Sequence, residues 1–157
     1  MAGEVTLQHL LHEEVALLRD FLALLQREQK TLMDGDIDRL SPLALEKSAL
    51  FGRLAALGDT RNKALAALAL APDRVGVEAW LAAHPGEAAS RKAWAELLAL
   101  TLEARELNRV NGNLINTRLA NNQQALTTLL AAANQAALYG PDGQTTPLGG
   151  GRSLGSY

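Results

Sequence analysis

The residue types most suited to chemistry lie near the start of the chain. His9, His12 and Glu13 fall on neighbouring helical positions, and a histidine pair on one helical face can hold a metal ion. The spacing argues against a metal site. His-x-x-His lacks the i, i+4 separation and the intervening Glu of a metalloprotease helix, so both histidines are expected to be solvated. Glu13 with Glu14, and Glu103 with Glu106, would serve as acid and base only in a pocket that desolvates one of each pair. Aromatic residues make up 4% of the chain, and its sequence nominates no such pocket, so these carboxylates read as solvated positions and as ion pairs of the Glu87–Arg91 kind. Gly149-Gly150-Gly151-Arg152 has no strand before it and no helix after it, which rules out a phosphate cradle. The expectation is a protein with no catalytic residues, no metal and no cofactor.

The elements that would position these residues are helical. Leu and Ala dominate the 157 residues while β-branched and aromatic types are scarce, which favours helix over sheet. From about Val5 to Met33, Leu11, Val15, Leu18, Leu22, Leu25 and Leu32 recur at steps of three and four, with Gln29 in the one vacant place. Leu10, Leu17, Phe21 and Leu24 widen the stripe enough to touch more than one neighbour. Asp34-Gly35-Asp36 should end this helix, because Gly accepts the left-handed conformation of a helix C-terminus.

A short turn over 37–40 and a restart at Ser41-Pro42 are expected next, followed by a second helix to about Leu70. Its stripe is Leu43, Leu50, Leu54, Leu57, Leu65 and Leu68, with Lys47 and Arg61 at two in-phase places. Residues 71–86 form a connector with a short helix from about Val77, in which Trp80 should pack over the end of the bundle. The phase of a third helix runs unbroken from Trp94 to Ala136, predicting one helix from Glu87 to Leu138 about 75 Å long. Residues 140–157 hold six of the thirteen glycines, too little apolar surface to offset ordering, and read as a flexible tail after a helical domain over 1–139.

Charge and composition narrow the partners. A net charge of −2 offers no general attraction to phosphate backbones or anionic lipid, so nucleic acid is not expected. The absence of cysteine fits a reducing compartment, and Met1 to Gln8 lacks a basic segment before an apolar run, so the expected location is the cytoplasm.

Residues 119–141 carry no charged side chain, more than five turns of helix in which solvent-facing positions would normally collect Lys and Glu. Membrane insertion would bury Asn121, Asn122, Gln123, Gln124, Asn134 and Gln135 at high cost, so a protein partner fits better. Residues 119–138 are therefore expected to be frayed in the free chain or covered by a second copy of it, as in a homodimer. Just before this run, Asn108, Asn111, Gly112 and Asn113 weaken the helix where its phase continues. Two readings stand: these side chains meet a partner's backbone, with Gly112 allowing close approach, or Asn at in-register core positions fixes the packing of the bundle.

Taken together, the acidic Leu-rich first helix, the Gly35-Asp36 turn, Lys47 and Arg61, and Asn108-x-x-Asn111-Gly112-x-Leu114-Ile115 resemble the FlgN family of flagellar export chaperones. Leu138-Tyr139-Gly140-Pro141-Asp142-Gly143-Gln144 extends the resemblance into the tail. It implies an all-α fold, an elongated antiparallel helical bundle or coiled coil of three main helices with a short connector helix. It also implies binding of the C-terminal segment of hook-associated proteins, protection from premature assembly, and delivery to the flagellar export gate and its ATPase complex. The client surface expected from it comprises Asn111, Gly112, Leu114, Ile115, Leu119, Leu126, Leu129 and Leu130, with Tyr139 and Gly140 meeting the export gate. The same stripes would also suit a self-associating adaptor coiled coil without a client.

Overall fold

The computed structural model describes residues 2–119 and 123–137, with side chains placed over 7–118 and 127–134. Five helices make up the described chain: α1 (Ala2–Asp34), α2 (Ile37–Ala67), α3 (Arg74–Ala83), α4 (Ala88–Leu119) and α5 (Gln123–Ala137). The described residues contain no strand. The fold is the expected all-α helical bundle, and α1, α2 and α4 each run roughly 50 Å.

The stripe of α1 is fully used. Leu11, Val15, Leu18, Leu22, Leu25 and Leu32 are buried, as are Leu10, Leu17, Phe21 and Leu24, so α1 packs against α2 on one side and α4 on the other. Its end is a Schellman turn: Gly35 N–H donates to the Leu32 carbonyl and Asp36 N–H to that of Thr31, each at 3.3 Å, with Gly35 at φ 73°. The turn expected from Asp34-Gly35-Asp36 is therefore present.

The restart expected at Ser41-Pro42 is absent, because α2 begins at Ile37 and runs through Pro42. Leu40 is buried together with Leu43 and Ala44, so the turn before Pro42 already contributes to the core. Asp38 and Pro42 are exposed, so the helix passes its proline, which has no amide to donate, on the solvent side. The far end of α2 repeats the Schellman pattern with Ala69 in the left-handed conformation at φ 58°, where Leu70 N–H donates to Leu65 O at 3.0 Å. A Cβ in that conformation costs about 1 kcal/mol or more. Ala69→Gly is thus expected to raise stability by about 0.5–1 kcal/mol in urea unfolding, the gain being trimmed by the extra freedom of glycine in the unfolded chain.

The connector helix α3 starts at Arg74, one turn earlier than expected, because Asp73 caps it by accepting from Gly76 N–H at 3.3 Å. Gly76 is required there, since a Cβ would overlap the Ala71 carbonyl. Trp80 is buried in the main core and stacks on His84, ring centroids 4.5 Å apart, and so closes one end of the bundle.

The single third helix of 87–138 is the main correction. The chain reverses between α4 and α5, and α5 lies against α4 and α2. Asn108 bonds to Ala133, a pair that one straight helix would hold roughly 37 Å apart. Nor are the described side chains of 127–134 frayed or dependent on a second copy: Leu129, Ala132 and Ala133 are buried by the chain's own helices. The side chains of Leu119 and Leu126, all of Tyr139 and Gly140, and the 140–157 tail lie outside the described residues. No described helix is long and apolar enough to cross a membrane.

Candidate functional site

Two apolar clusters fill the bundle. The larger draws on α1, α2, α3 and α4, from Leu7 to Leu25 along α1 and from Ala93 to Ala104 along α4. The smaller joins Leu32, Leu40, Ala44 and Ile115 to Leu129, Ala132 and Ala133 of α5, with Leu114 and Leu130 half-buried against it.

A layer of buried polar side chains separates them. Lys47 Nζ donates to Glu28 Oε1 at 3.0 Å and to Asn108 Oδ1 at 2.8 Å, while Lys47 and Glu28 are each only 1% exposed. Asn108 Nδ2 donates to the Ala133 carbonyl at 3.0 Å and so ties α4 to α5. Asn111 Nδ2 donates to the Leu25 carbonyl and to Glu28 Oε1, both at 2.9 Å. Its Oδ1 has no hydrogen-bond partner among the described residues. Burial holds the Lys47 ammonium below the ordinary lysine range, against the attraction of Glu28, which acts to raise it.

A second buried pair lies deeper in the large cluster. Arg61 Nη1 donates to Glu14 Oε1 at 2.6 Å and Oε2 at 2.7 Å, and the guanidinium carbon sits 5.7 Å from the Trp94 ring centroid. The reading of Glu14 as a solvated position is therefore corrected: Glu13 faces water and Glu14 the core. A spacing signal could have found both pairs. Glu14 and Glu28 are two heptads apart on α1, Lys47 and Arg61 two heptads apart on α2, and antiparallel helices bring the first of one pair to the last of the other.

The expected client residues fall into distinct groups. Asn111 and Ile115 are buried, and Leu129 is buried in the same small cluster as Ile115. Gly112 is half-buried with open space where a Cβ would point. Leu114 and Leu130 flank the cluster. The structure thus brings Leu114, Ile115, Leu129 and Leu130 together, with Asn108 and Asn111 at in-register core positions beneath them. His9 meets Glu13 at 2.8 Å on the surface of α1, and no three metal-ligating side chains gather among the described residues.

These features define the class as an all-helical bundle in which an uncharged last described helix folds back on α4 and α2 beside a buried charged layer. The chain matches the FlgN protein family over residues 1–147 and belongs to that family. It is 29% identical over 145 residues to flagella synthesis protein FlgN of Escherichia coli K12, an alignment covering 89% of this chain and 90% of the relative. The protein of the same name from Proteus mirabilis is 29% identical over 140 residues, 88% of each chain. A crystal structure described as a flagella synthesis protein flgn from Pseudomonas aeruginosa shares the fold, with a TM-score of 0.62 at 21% identity over 83% of this chain and 95% of that one.

Proposed function

We propose that this protein is a cytoplasmic export chaperone of the flagellar type III system. It binds the C-terminal segment of hook-associated proteins, prevents their premature assembly and delivers them to the export gate. Family membership supports a part in flagellum synthesis, since the curated relatives carry that name. The observation that supports the client-binding part is the charge-free stretch over residues 119–141, of which the described portion forms a helix packed on α4 and α2 with Leu129, Ala132 and Ala133 buried.

The recognition is helix-in-groove. A client segment that is disordered when free folds against Leu114, Ile115, Leu129 and Leu130, aided by Leu119 and Leu126 from the same stretch. Because Ile115 and Leu129 bury one another's surroundings in the free chain, the client reaches them only when α5 lifts from α4 and α2. An apolar interface without charges is only weakly salt-dependent. Tyr139 and Gly140 serve the handover to the export gate.

Light scattering on the chain mixed with a purified hook-associated protein tests this reading. The expected result is a heterologous complex, insensitive to added salt, in which the client no longer polymerises. A stable homo-oligomer that ignores the client would replace it with the self-associating adaptor.

A further inference from the structure

Two turn signals compete between α1 and α2. Gly35 favours the observed turn through its left-handed conformation, whereas Ser41-Pro42 favours a later one, with Ser41 as the cap and Pro42 in the first helical place. In the turn that forms, Asp36 makes no side-chain cap hydrogen bond and Pro42 lies inside α2, where it has no amide for the ladder. Local sequence therefore does not choose between them. Nor do the apolar stripes, because they repeat every seven residues on both helices. Sliding α2 by one heptad along α1 carries Leu50 from the level of Leu25 to that of Leu32, Leu57 from Leu18 to Leu25, and Leu65 from Leu10 to Leu17. The slide also moves the turn to Leu40-Ser41, directly before Pro42.

The buried charges do choose. Glu14 bonds to Arg61 and Glu28 to Lys47, and the two buried pairs lie two heptads apart on both helices, so a single register forms both. After the one-heptad slide Glu14 would lie level with Leu68, Glu28 with Leu54 and Arg61 with Phe21, while Lys47 would reach Gly35. Three charges would then face the large cluster with no opposite charge beside them, which outweighs one cap and one proline. A slide the other way sets Lys47 level with Phe21 and Arg61 with Leu7. A slide of two heptads joins one acid to one cation and leaves the other two alone.

We infer that the Glu14–Arg61 and Glu28–Lys47 pairs select the register of the α1–α2 hairpin, holding its turn at Gly35 and excluding the heptad-shifted hairpin that turns before Pro42. The selection extends to α4, because Lys47 donates to Asn108 and Glu28 accepts from Asn111. Polar groups at core positions fix the register of coiled coils in the same way. Register selection is independent of what the bundle binds.

Spin labels report the register directly, since the chain has no cysteine of its own. Ala16 on α1 and Leu45 on α2 are both exposed, and pulsed electron paramagnetic resonance reads the distance between labels attached at Ala16→Cys and Leu45→Cys. A one-heptad slide carries Leu45 seven residues farther from Ala16 along the bundle, which lengthens that distance by about 10 Å. The intact layer is expected to give one distance. Glu14→Met, Glu28→Met, Lys47→Met and Arg61→Met together keep the core apolar and remove the selection, so a second distance about 10 Å longer is expected to appear. Moving the cations, with Lys47→Leu, Leu54→Lys, Arg61→Leu and Leu68→Arg, places one beside each acid in the shifted register only, and the longer distance should then predominate. A layer that merely stabilised the fold would change how much of the chain is folded and leave the distance in folded molecules unchanged. One unshifted distance in the apolar chain, or in a re-coded chain that circular dichroism shows to be helical, overturns the inference. Should the re-coded chain fail to fold, the apolar chain decides alone.

Discussion

Arg61→Ala is expected to lower the stability of the fold by about 3–5 kcal/mol, the range for removing one partner of a buried ion pair. The cause is what remains. Glu14 is 0% exposed on α1, and without the guanidinium its carboxylate must be protonated, hydrated by distortion of the core, or left as an uncompensated charge. Trp94 also loses the cation above its ring. At about 2–4 °C per kcal/mol for a chain of this size, the melting temperature should fall by about 6–20 °C. Replacing both partners, Glu14→Met with Arg61→Met, removes charge and counter-charge together and is expected to be neutral or stabilising by about 1–4 kcal/mol. Urea unfolding followed by tryptophan fluorescence distinguishes the cases. A double variant as unstable as the single one would mean that the pair contributes packing rather than charge compensation.

Leu129→Asp is expected to release α5 while leaving the rest of the bundle folded. Leu129 is fully buried among the apolar side chains of the small cluster, where a carboxylate would be desolvated. An isolated charge costs several kcal/mol to bury, so undocking of the helix that carries it is the expected response. Among the described residues the large cluster takes none from α5, and it should be unaffected. Loss of amide protection confined to 123–137 is the expected signature. Client affinity should fall about a hundredfold, as for a central apolar anchor at an interface. Retained protection in 123–137 would show that α5 does not depend on the small cluster.

Much of this architecture is readable from residue spacing, and the parts that are not have identifiable causes. The stripe of α1, the in-phase places of Lys47 and Arg61 and the Gly35 turn can be read directly, because each depends on local periodicity or a single left-handed residue. The reversal before α5 cannot. Trp94 through Ile115 and then Leu129 and Ala132 keep one heptad phase, and a hairpin of two helices buries the same positions as a straight helix would. No glycine or proline lies between Gly112 and Gly140 to mark the break.

The acidic partners of Lys47 and Arg61 were hidden for a different reason. Glu14 and Glu28 sit beside exposed neighbours, Glu13 and Arg27, and only pairing the two helices antiparallel brings their matched spacing into view. At the candidate site, Asn108 and Asn111 stood out as in-phase polar positions, while their bonds to Lys47, Glu28 and α5 depend on three other helices and leave no trace in local sequence.

The central claim, that the α4–α5 region receives the C-terminal segment of a hook-associated protein, is tested most directly by calorimetry. The segment is titrated into the intact chain and into a chain carrying Leu126→Asp and Leu130→Asp. The account predicts binding to the intact chain with a negative heat-capacity change, as apolar burial requires. It also predicts loss of that binding in the variant while circular dichroism shows the main bundle still helical. Absence of binding by the intact chain, or binding that survives both substitutions unchanged, would contradict it.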